Sequence, residues 1–444
     1  VALPEIEPPG QFSGQFSGDR PDGPADQLAT PDQFSTADRF STADRFITAA
    51  GPLDASALPR SGALAWLRGG EGLLGWGEAA RLEVSGPDRF TQAARWWSQL
   101  CAEFVTVSEV GEPGTEDYSN PGPVAFGSFS FAEDGISVLV VPQVVLRRHS
   151  GQSWLTTIGD SAAAFVAEPV QAPQSIAWAD GLVPASAYLT QVTEAVRLIR
   201  SGKVGKVVLA QDLLARAEAP IDPRYLLRNL AGRFPDCWTY AVDGLVGSTP
   251  EMLVERRGAA VHSRVLAGTA WRQHAGEEDS GVRAELLASA KDREEHEYAV
   301  RSANEALAPY CSELLVPAEP MVLSLSNVTH LCTDVTGQLD SPITSLELAG
   351  VLHPTAAVCG TPTDVAGQLI RKLEGMDRGR YAGPVGWIDA TGDGEWGIAL
   401  RCAALNENSA RLYAGCGIVA DSDPATELAE AQAKFVAVRD ALEP

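Results

Sequence analysis

An α+β fold is what this sequence predicts, and three observations lead to it. Strand-like segments come in groups: 239–243, 245–249, 252–256 and 260–266 follow one another like an antiparallel meander, and 384–389, 395–402 and 411–414 make a second group. Helical periodicity is confined to segments outside those groups, whereas a doubly wound parallel sheet would alternate strand with helix throughout. Finally, 444 residues can bury a large core and exceed the usual single-domain span, so the chain is two domains or one large unit.

Composition narrows the class. With 45% hydrophobic and 21% charged residues the chain is that of a soluble globular protein. A formal charge of −24 argues against nucleic acid or an anionic membrane as partner, and means that an anionic ligand needs local positive charge from a metal or from placed Arg and Lys. Seven cysteines are scattered without a Cys-x-x-Cys pair or Cys/His cluster, as in a reduced cytosolic protein. There is no apolar run of about 18 residues, and the first residues lack the basic-then-apolar layout of a signal peptide. A cytoplasmic protein is expected, and a monomer, since no heptad run calls for assembly.

Residues 1–50 form a repetitive Pro-, Gly-, Ser- and Asp-rich arm in which "QFSGQFSG" and "QFSTADRFSTADRF" are tandem repeats too short for a solenoid. Residues 51–184 mix strand-like segments such as "ISVLVVPQVVL" with turns, and carry a helix near 90–104 whose Phe90, Ala94, Trp97, Cys101 and Phe104 share one face. The turn-rich stretch 168–186 links this half to residues 185–444. There, Ser186 reads as the N-cap of a helix that buries Leu189, Val192, Val196 and Ile199 and ends at Ser201-Gly202. A strand over 206–210 follows, then a helix to about 232 with Asp222 as N-cap and Pro223 at its first position.

One helix is expected from about 284 to 308, since nothing breaks the run before Pro309. At its centre Lys291, Asp292, Arg293, Glu294 and Glu295 are consecutive charges, and at 100° per residue they visit every side of the helix. Either that turn stands free in water or some of the charges face inward and are neutralised there. Asp292 and Glu295, at i and i+3, point from one face. The last helix, 425–442, offers a matching pair: Leu428, Ala431, Phe435, Val438 and Leu442 form its buried stripe, with Glu427, Glu430 and Lys434 at the stripe's edge. Acidic pairs at this spacing are usually solvated faces. Two such pairs converging would suit a hard divalent cation, Mg²⁺ first, because it takes oxygen ligands and shares its shell with anionic substrates. Glycine-rich segments "VLAGTAWR", "CGTP" and "AGCGIV" let backbone N–H groups approach an anion, but none is a Walker loop or a dinucleotide fingerprint.

The segments "KVVLAQD", "GSTPEMLVE", "LAGTAWR", "LLASAKDREEHE", "VTHL", "LHPTAAVCGTP", "YAGPVGW", "GEWGIALRCA", "LYAGCGIV" and "ATELAEAQAK", in that order over 185–442, resemble the chorismate-utilising enzymes, and most closely the isochorismate synthases. The resemblance implies a large single domain of packed antiparallel sheets with outer helices, like anthranilate synthase component I. It implies Mg²⁺ held by Glu295 and Glu430, with Asp292 and Glu427 close by, and chorismate as substrate. Lys206 would be the general base that activates water for attack at C2, which requires a neutral amine, while Lys203 would be solvated. Glu251 would be the general acid for the departing C4 hydroxyl, so its pKa should be raised. Arg401 and Tyr381 would meet a substrate carboxylate, Gly268, Thr269, Gly415 and Gly417 would line the anion pocket, and His330 would lie near the ring.

Three positions depart from the pattern. Gln211 stands in place of Arg and removes a positive charge near the site, Cys416 replaces a small Ala and would narrow the pocket, and Tyr381 is a residue found in salicylate synthases. A salicylate synthase, which eliminates pyruvate from isochorismate, therefore stays open as an alternative, although Ala357 and Val358 in a pocket-facing stretch favour the isomerases. An aminating relative would need an amidotransferase partner and usually lacks the Lys at 206. A non-catalytic Mg²⁺-binding protein would have lost Lys206 or Glu251, and both are present.

Overall fold

The computed structural model describes residues 41–47, 51–108, 122–159, 168–271, 280–324 and 328–443. Most of the repetitive arm lies outside them; its described part, Ser41–Ile47, is a strand. Two antiparallel sheets dominate. The first runs from Ala177–Asp180 through Lys206–Arg216, Ser409–Ile418, Cys402–Asn406, Leu245–Thr249, Trp238–Val242, Leu64–Arg68, Glu71–Trp76, Val144–His149, Gln152–Ile158 and Ser41–Ile47 to Val105–Ser108, with Gly360–Thr361 beside Lys206. Only its last pair, Ser41–Ile47 with Val105–Ser108, is parallel. The second runs from Cys311–Leu315 through Val328–Leu339, Ala260–Trp271, Met252–Arg257, Gly394–Ile398, Pro384–Asp389, Val124–Ser128 and Ser137–Val141 to Ala80–Val84. Strands from before and after residue 185 thus share both sheets.

The sheets enclose a core in which Trp66 and Tyr240 of the first meet Phe126, Val254 and Trp396 of the second. Helices cover the outer faces. Helix Pro223–Arg233 and the end of helix Pro424–Leu442 pack on one stretch of the first sheet, through Leu226, Leu230, Phe435 and Val438. Helices Ala185–Arg200 and Thr363–Glu374 pack on Val207 and Leu209. Helix Arg89–Glu103 buries Phe90, Ala94 and Trp97 as its periodicity predicts, and Asp222 caps its helix by accepting from the Arg224 N–H at 3.0 Å. No described helix is long and apolar enough to cross a membrane.

Three strands run longer than the sequence reading, Lys206–Arg216, Ala260–Trp271 and Ser409–Ile418, the turn-rich link holds the strand Ala177–Asp180, and four other elements differ more deeply. The long charged helix is two, Ser280–Ala288 and Ala290–Leu307, because Ser289 leaves helical geometry to cap the second by accepting from the Asp292 N–H. The helix expected to begin at Ser186 starts after Pro184, which has no capping side chain, and Ser186 sits inside its first turn. The supposed meander is two hairpins in different sheets: Leu245–Thr249 belongs to the first and Met252–Arg257 to the second. The 395–402 segment breaks likewise into Gly394–Ile398 of the second sheet and Cys402–Asn406 of the first. Alternating hydrophobicity marks a strand but carries no record of which sheet it joins.

An ion pair ties the outer helices to the inter-sheet space. Arg378 and Glu374, 3% and 2% exposed, bond through two guanidinium nitrogens, and Arg378 also donates to the Val358 and Val208 carbonyls at 2.9 Å each. The Arg378→Met variant strands a buried carboxylate and is expected to lose about 3–5 kcal/mol in denaturant unfolding. The double change with Glu374→Leu should recover part of that loss. Equal stability of the single variant and wild type would mean that the pair holds nothing.

Candidate active site

The chain passes between the sheets at several points, and two of these passages place a polar side chain in the same cleft. From Thr249 to Met252 it crosses through Pro250 and Glu251; the Glu251 N–H donates to Thr249 Oγ1 at 3.2 Å and its carbonyl accepts from the Ile398 N–H at 3.2 Å. From Ile398 to Cys402 it returns through Ala399, Leu400 and Arg401. Arg401 has a φ of 47°, a left-handed turn that aims its guanidinium back between the sheets, and its carbonyl accepts from the Ser248 N–H at 3.1 Å.

The cleft between these passages is lined by Glu251, Gly268, Thr269, Glu295, His330, Tyr381, Arg401, Gly415, Gly417 and Glu430, all of them residues that the sequence singled out. Ala357 and Val358 line it too. Lys206, Asp292 and Glu427 lie behind that lining. Lys206 is fully buried at the start of its strand, with Nζ 3.2 Å from Glu295 Oε1, whereas Lys203 is exposed. Glu427 holds Lys291 Nζ at 2.5 Å, and the Asp292 carboxylate bonds back to the Ser289 hydroxyl. The inward charges of the broken helix are therefore neutralised by pairing, Lys291 with Glu427 and Glu295 with Lys206.

Local backbone chemistry sets these positions. At Gly268 the strand Ala260–Trp271 bulges against Val328–Leu339, with a φ of 74° that suits glycine. The bulge turns the Gly268 carbonyl to His330 Nδ1, 3.3 Å away. A carbonyl only accepts, so Nδ1 carries the proton in that contact, and Nε2 is left as an acceptor facing Arg401 Nη2 at 3.5 Å. Gly417 leaves room for the Glu295 carboxylate: a Cβ there would stand 2.0 Å from Glu295 Oε1, which would have to move aside.

Burial decides the protonation states. It pushes the Glu251 carboxyl up to about 8, against the opposing pull of the Leu266 N–H and Lys206, so the acid is protonated at neutral pH as its expected role requires. His330 is driven down to about 3 by burial and by Arg401, and stays neutral. Asp292 and Glu427 are raised, chiefly by burial and further by neighbouring carboxylates. Glu430 is lowered: burial raises it, but Lys434, bonded at 2.8 Å, outweighs that.

Two of the departures fall outside the cleft. Gln211 shares a strand face with Val207 and Leu209, which pack on outer helices, so no charge is lost from the site there. Cys416 likewise faces outward, its thiol donating to the Glu427 carbonyl at 3.3 Å, so it does not narrow the space between Gly415 and Gly417. Among the polar lining residues, Arg378, Tyr413 and Lys434 were given no role at the site by the sequence reading. Lys434 donates to the Gly415 carbonyl at 2.8 Å, and its i+4 spacing from Glu430 was a signal. Tyr413 stacks on Tyr381, and its signal was the two-residue spacing from Gly415 along one strand face.

The profile of a family described as "Chorismate binding enzyme" matches residues 161–443. Over 260 residues the chain is 43% identical to an isochorismate synthase, DhbC, of Bacillus subtilis, a match that covers 56% of this chain and 65% of that one. It is 35% identical over 390 residues to the salicylate biosynthesis isochorismate synthase of Pseudomonas aeruginosa, covering 83% and 82%. In fold it is similar to the menaquinone-specific isochorismate synthase MenF of Escherichia coli, with a TM-score of 0.75 at 24% identity over 90% of this chain and 94% of that one.

A neutral buried carboxyl makes a stability prediction with a definite sign. The folded pKa of Glu251, about 8, lies above the ordinary 4.5, so the folded state holds a proton that the unfolded chain releases. Stability from this group is complete below about 4.5 and is lost as pH rises through about 8. Glu251→Gln, which cannot ionise, should melt closer to or above wild type at pH 9 than at pH 5. A Tm difference that does not change with pH would sink the assignment.

Proposed function

This chain belongs to the chorismate-binding enzymes, and we propose that it converts chorismate to isochorismate. The observation that carries the reading is a carboxyl protonated at neutral pH, Glu251, in the cleft lining, with a fully buried amine, Lys206, behind that lining and near enough to act on it. Lys206, once the proton it holds against Glu295 has left to solvent, is the neutral amine that takes a proton from water as that water's oxygen bonds to C2. The ring double bonds shift, and the C4–O bond breaks as Glu251 gives its proton to the departing hydroxyl. One water enters and one leaves, so the product is an isomer of the substrate. Both proton carriers are then reset by exchange with solvent. Arg401 and the Tyr381 hydroxyl suit a substrate carboxylate.

The residues fit a hard divalent cation such as Mg²⁺. Asp292, Glu295, Glu427 and Glu430 offer only oxygen donors; Glu295 and Glu430 lie close enough to raise the proton affinity of Asp292, and Glu430 that of Glu427. Charge supports the same reading. With Glu251 protonated, those four carboxylates face Lys206, Lys291, Lys434 and Arg401, so the site is balanced. Chorismate brings two carboxylates into that balance, and a dication arriving with it would offset them. When bound through Glu295 and Glu430, the cation would hold the ring carboxylate and supply that charge.

Incubation of the protein with chorismate, with and without Mg²⁺, and chromatography of the products test the reading. Isochorismate formed only with Mg²⁺ is expected; salicylate with pyruvate would favour the lyase alternative that Tyr381 keeps open, and unchanged chorismate would end both. Lys206→Ala should lower kcat by roughly 10²–10⁴ while Mg²⁺ affinity measured by calorimetry stays within a few fold. Near-wild-type turnover in that variant would remove Lys206 as the base. Because the acid must be protonated, kcat/KM should fall as pH rises through about 8, where Glu251 ionises, and an alkaline limb absent up to pH 10 would count against Glu251.

A further inference from the structure

We infer that Tyr413 is a positioning residue, which fixes the phenol of Tyr381 at the wall of the cleft. The inference rests on the reading that the cleft takes chorismate. Strand Ser409–Ile418 alternates its side chains, so Arg411, Tyr413, Gly415 and Gly417 share one face. The two glycines leave the floor of the cleft open, and Tyr413 fills the space beside it.

The Tyr413 and Tyr381 rings lie parallel, with centroids 5.0 Å apart and planes 8° from coplanar. Burial raises the Tyr381 hydroxyl pKa, so it remains a phenol, and among the described residues no hydrogen bond orients it. The stack is what aims this donor. Tyr413 is held in turn, for the Arg411 guanidinium carbon lies 5.1 Å from its ring centroid. Arg411 Nε donates to Asp212 Oδ2 at 2.8 Å, and its buried Nη2 has no hydrogen-bond partner among the described residues, which leaves the ring as its other attachment. Asp212 is fixed by the Val183 N–H, which donates to Oδ1 at 2.9 Å. A buried carboxylate, a guanidinium and two rings therefore run in series to a donor that faces the substrate.

A ring that merely filled the core would change the melting temperature and leave kinetics alone. A ring that aims a carboxylate donor acts on substrate binding before chemistry. Steady-state kinetics with chorismate and thermal melts of Tyr413→Ala, Tyr413→Phe and Arg411→Gln separate the two. Tyr413→Ala should raise KM about tenfold, equivalent to about 1.4 kcal/mol, with kcat within about threefold. Tyr413→Phe keeps the ring and should restore most of the lost affinity, and Arg411→Gln should fall between them. If Tyr413→Ala does not fold, Tyr413→Leu and Arg411→Gln carry the same comparison. An unchanged KM in a folded Tyr413→Ala protein overturns the inference alone, as does a Phe variant as weak as Ala, which would assign the effect to the hydroxyl. Absence of turnover in the wild type overturns the functional reading and this inference with it.

Discussion

The two passages that carry Glu251 and Arg401 from one sheet to the other are the constraint on which the cleft depends. A strand that changes sheets must give up its ladder for two or three residues, and the backbone groups released there need other partners. Here each passage supplies partners to its neighbours: the Glu251 carbonyl accepts from Ile398 at the end of the returning strand, and the Arg401 carbonyl accepts from Ser248 at the end of the outgoing one. The passages are thereby locked together, and the side chains they carry face one another between two layers that would otherwise be filled by apolar groups. An acid and a guanidinium are held at fixed positions in a place that excludes bulk water.

Exclusion of water has an electrostatic consequence that the rest of the site answers. Every buried charge must be paired or neutralised by protonation. Glu251 is protonated, and His330 gives up its charge beside Arg401. Glu295 and Glu427 each take a lysine from another element, Lys206 and Lys291, and Glu430 takes Lys434 one turn along its own helix. The pairing between Glu295 and Lys206 needs the neighbouring strand to come close, and Gly417, paired in register with Val208, allows it by having no side chain in the way. The glycine-rich stretch that reads as an anion loop thus also makes room for a carboxylate.

Local signals in the sequence were read with success where one element decides the outcome. Asp222-Pro223 announces its helix start, and burial of Lys206 beside solvated Lys203 follows from where the apolar strand begins. The family resemblance supplied most of the cleft because ordered motifs encode long-range contacts that spacing does not. What stayed illegible is non-local or depends on which way a side chain faces. Ser289 reads as an ordinary helix residue until Asp292 is seen to bond back to it. Gln211 and Cys416 stand within cleft motifs but point to the outer helices, since a strand presents alternate residues to opposite sides. Tyr413 takes its meaning from a ring distant in sequence.

That last case shows why conserved-looking motifs understate a site. A motif records the groups that touch a ligand, whereas the geometry of those groups is set by residues one layer back, whose types are free as long as their shape and contacts hold. Among the described residues the Tyr381 hydroxyl has no hydrogen-bond partner, so its aim is only as definite as the ring beside it, and that ring is only as fixed as the Arg411–Asp212 pair behind it. Asp212 in turn reaches Val183, in the turn-rich stretch that leads into helix Ala185–Arg200. The orientation of a single phenol at the cleft wall is therefore determined by packing that extends to the segment joining the two halves of the sequence.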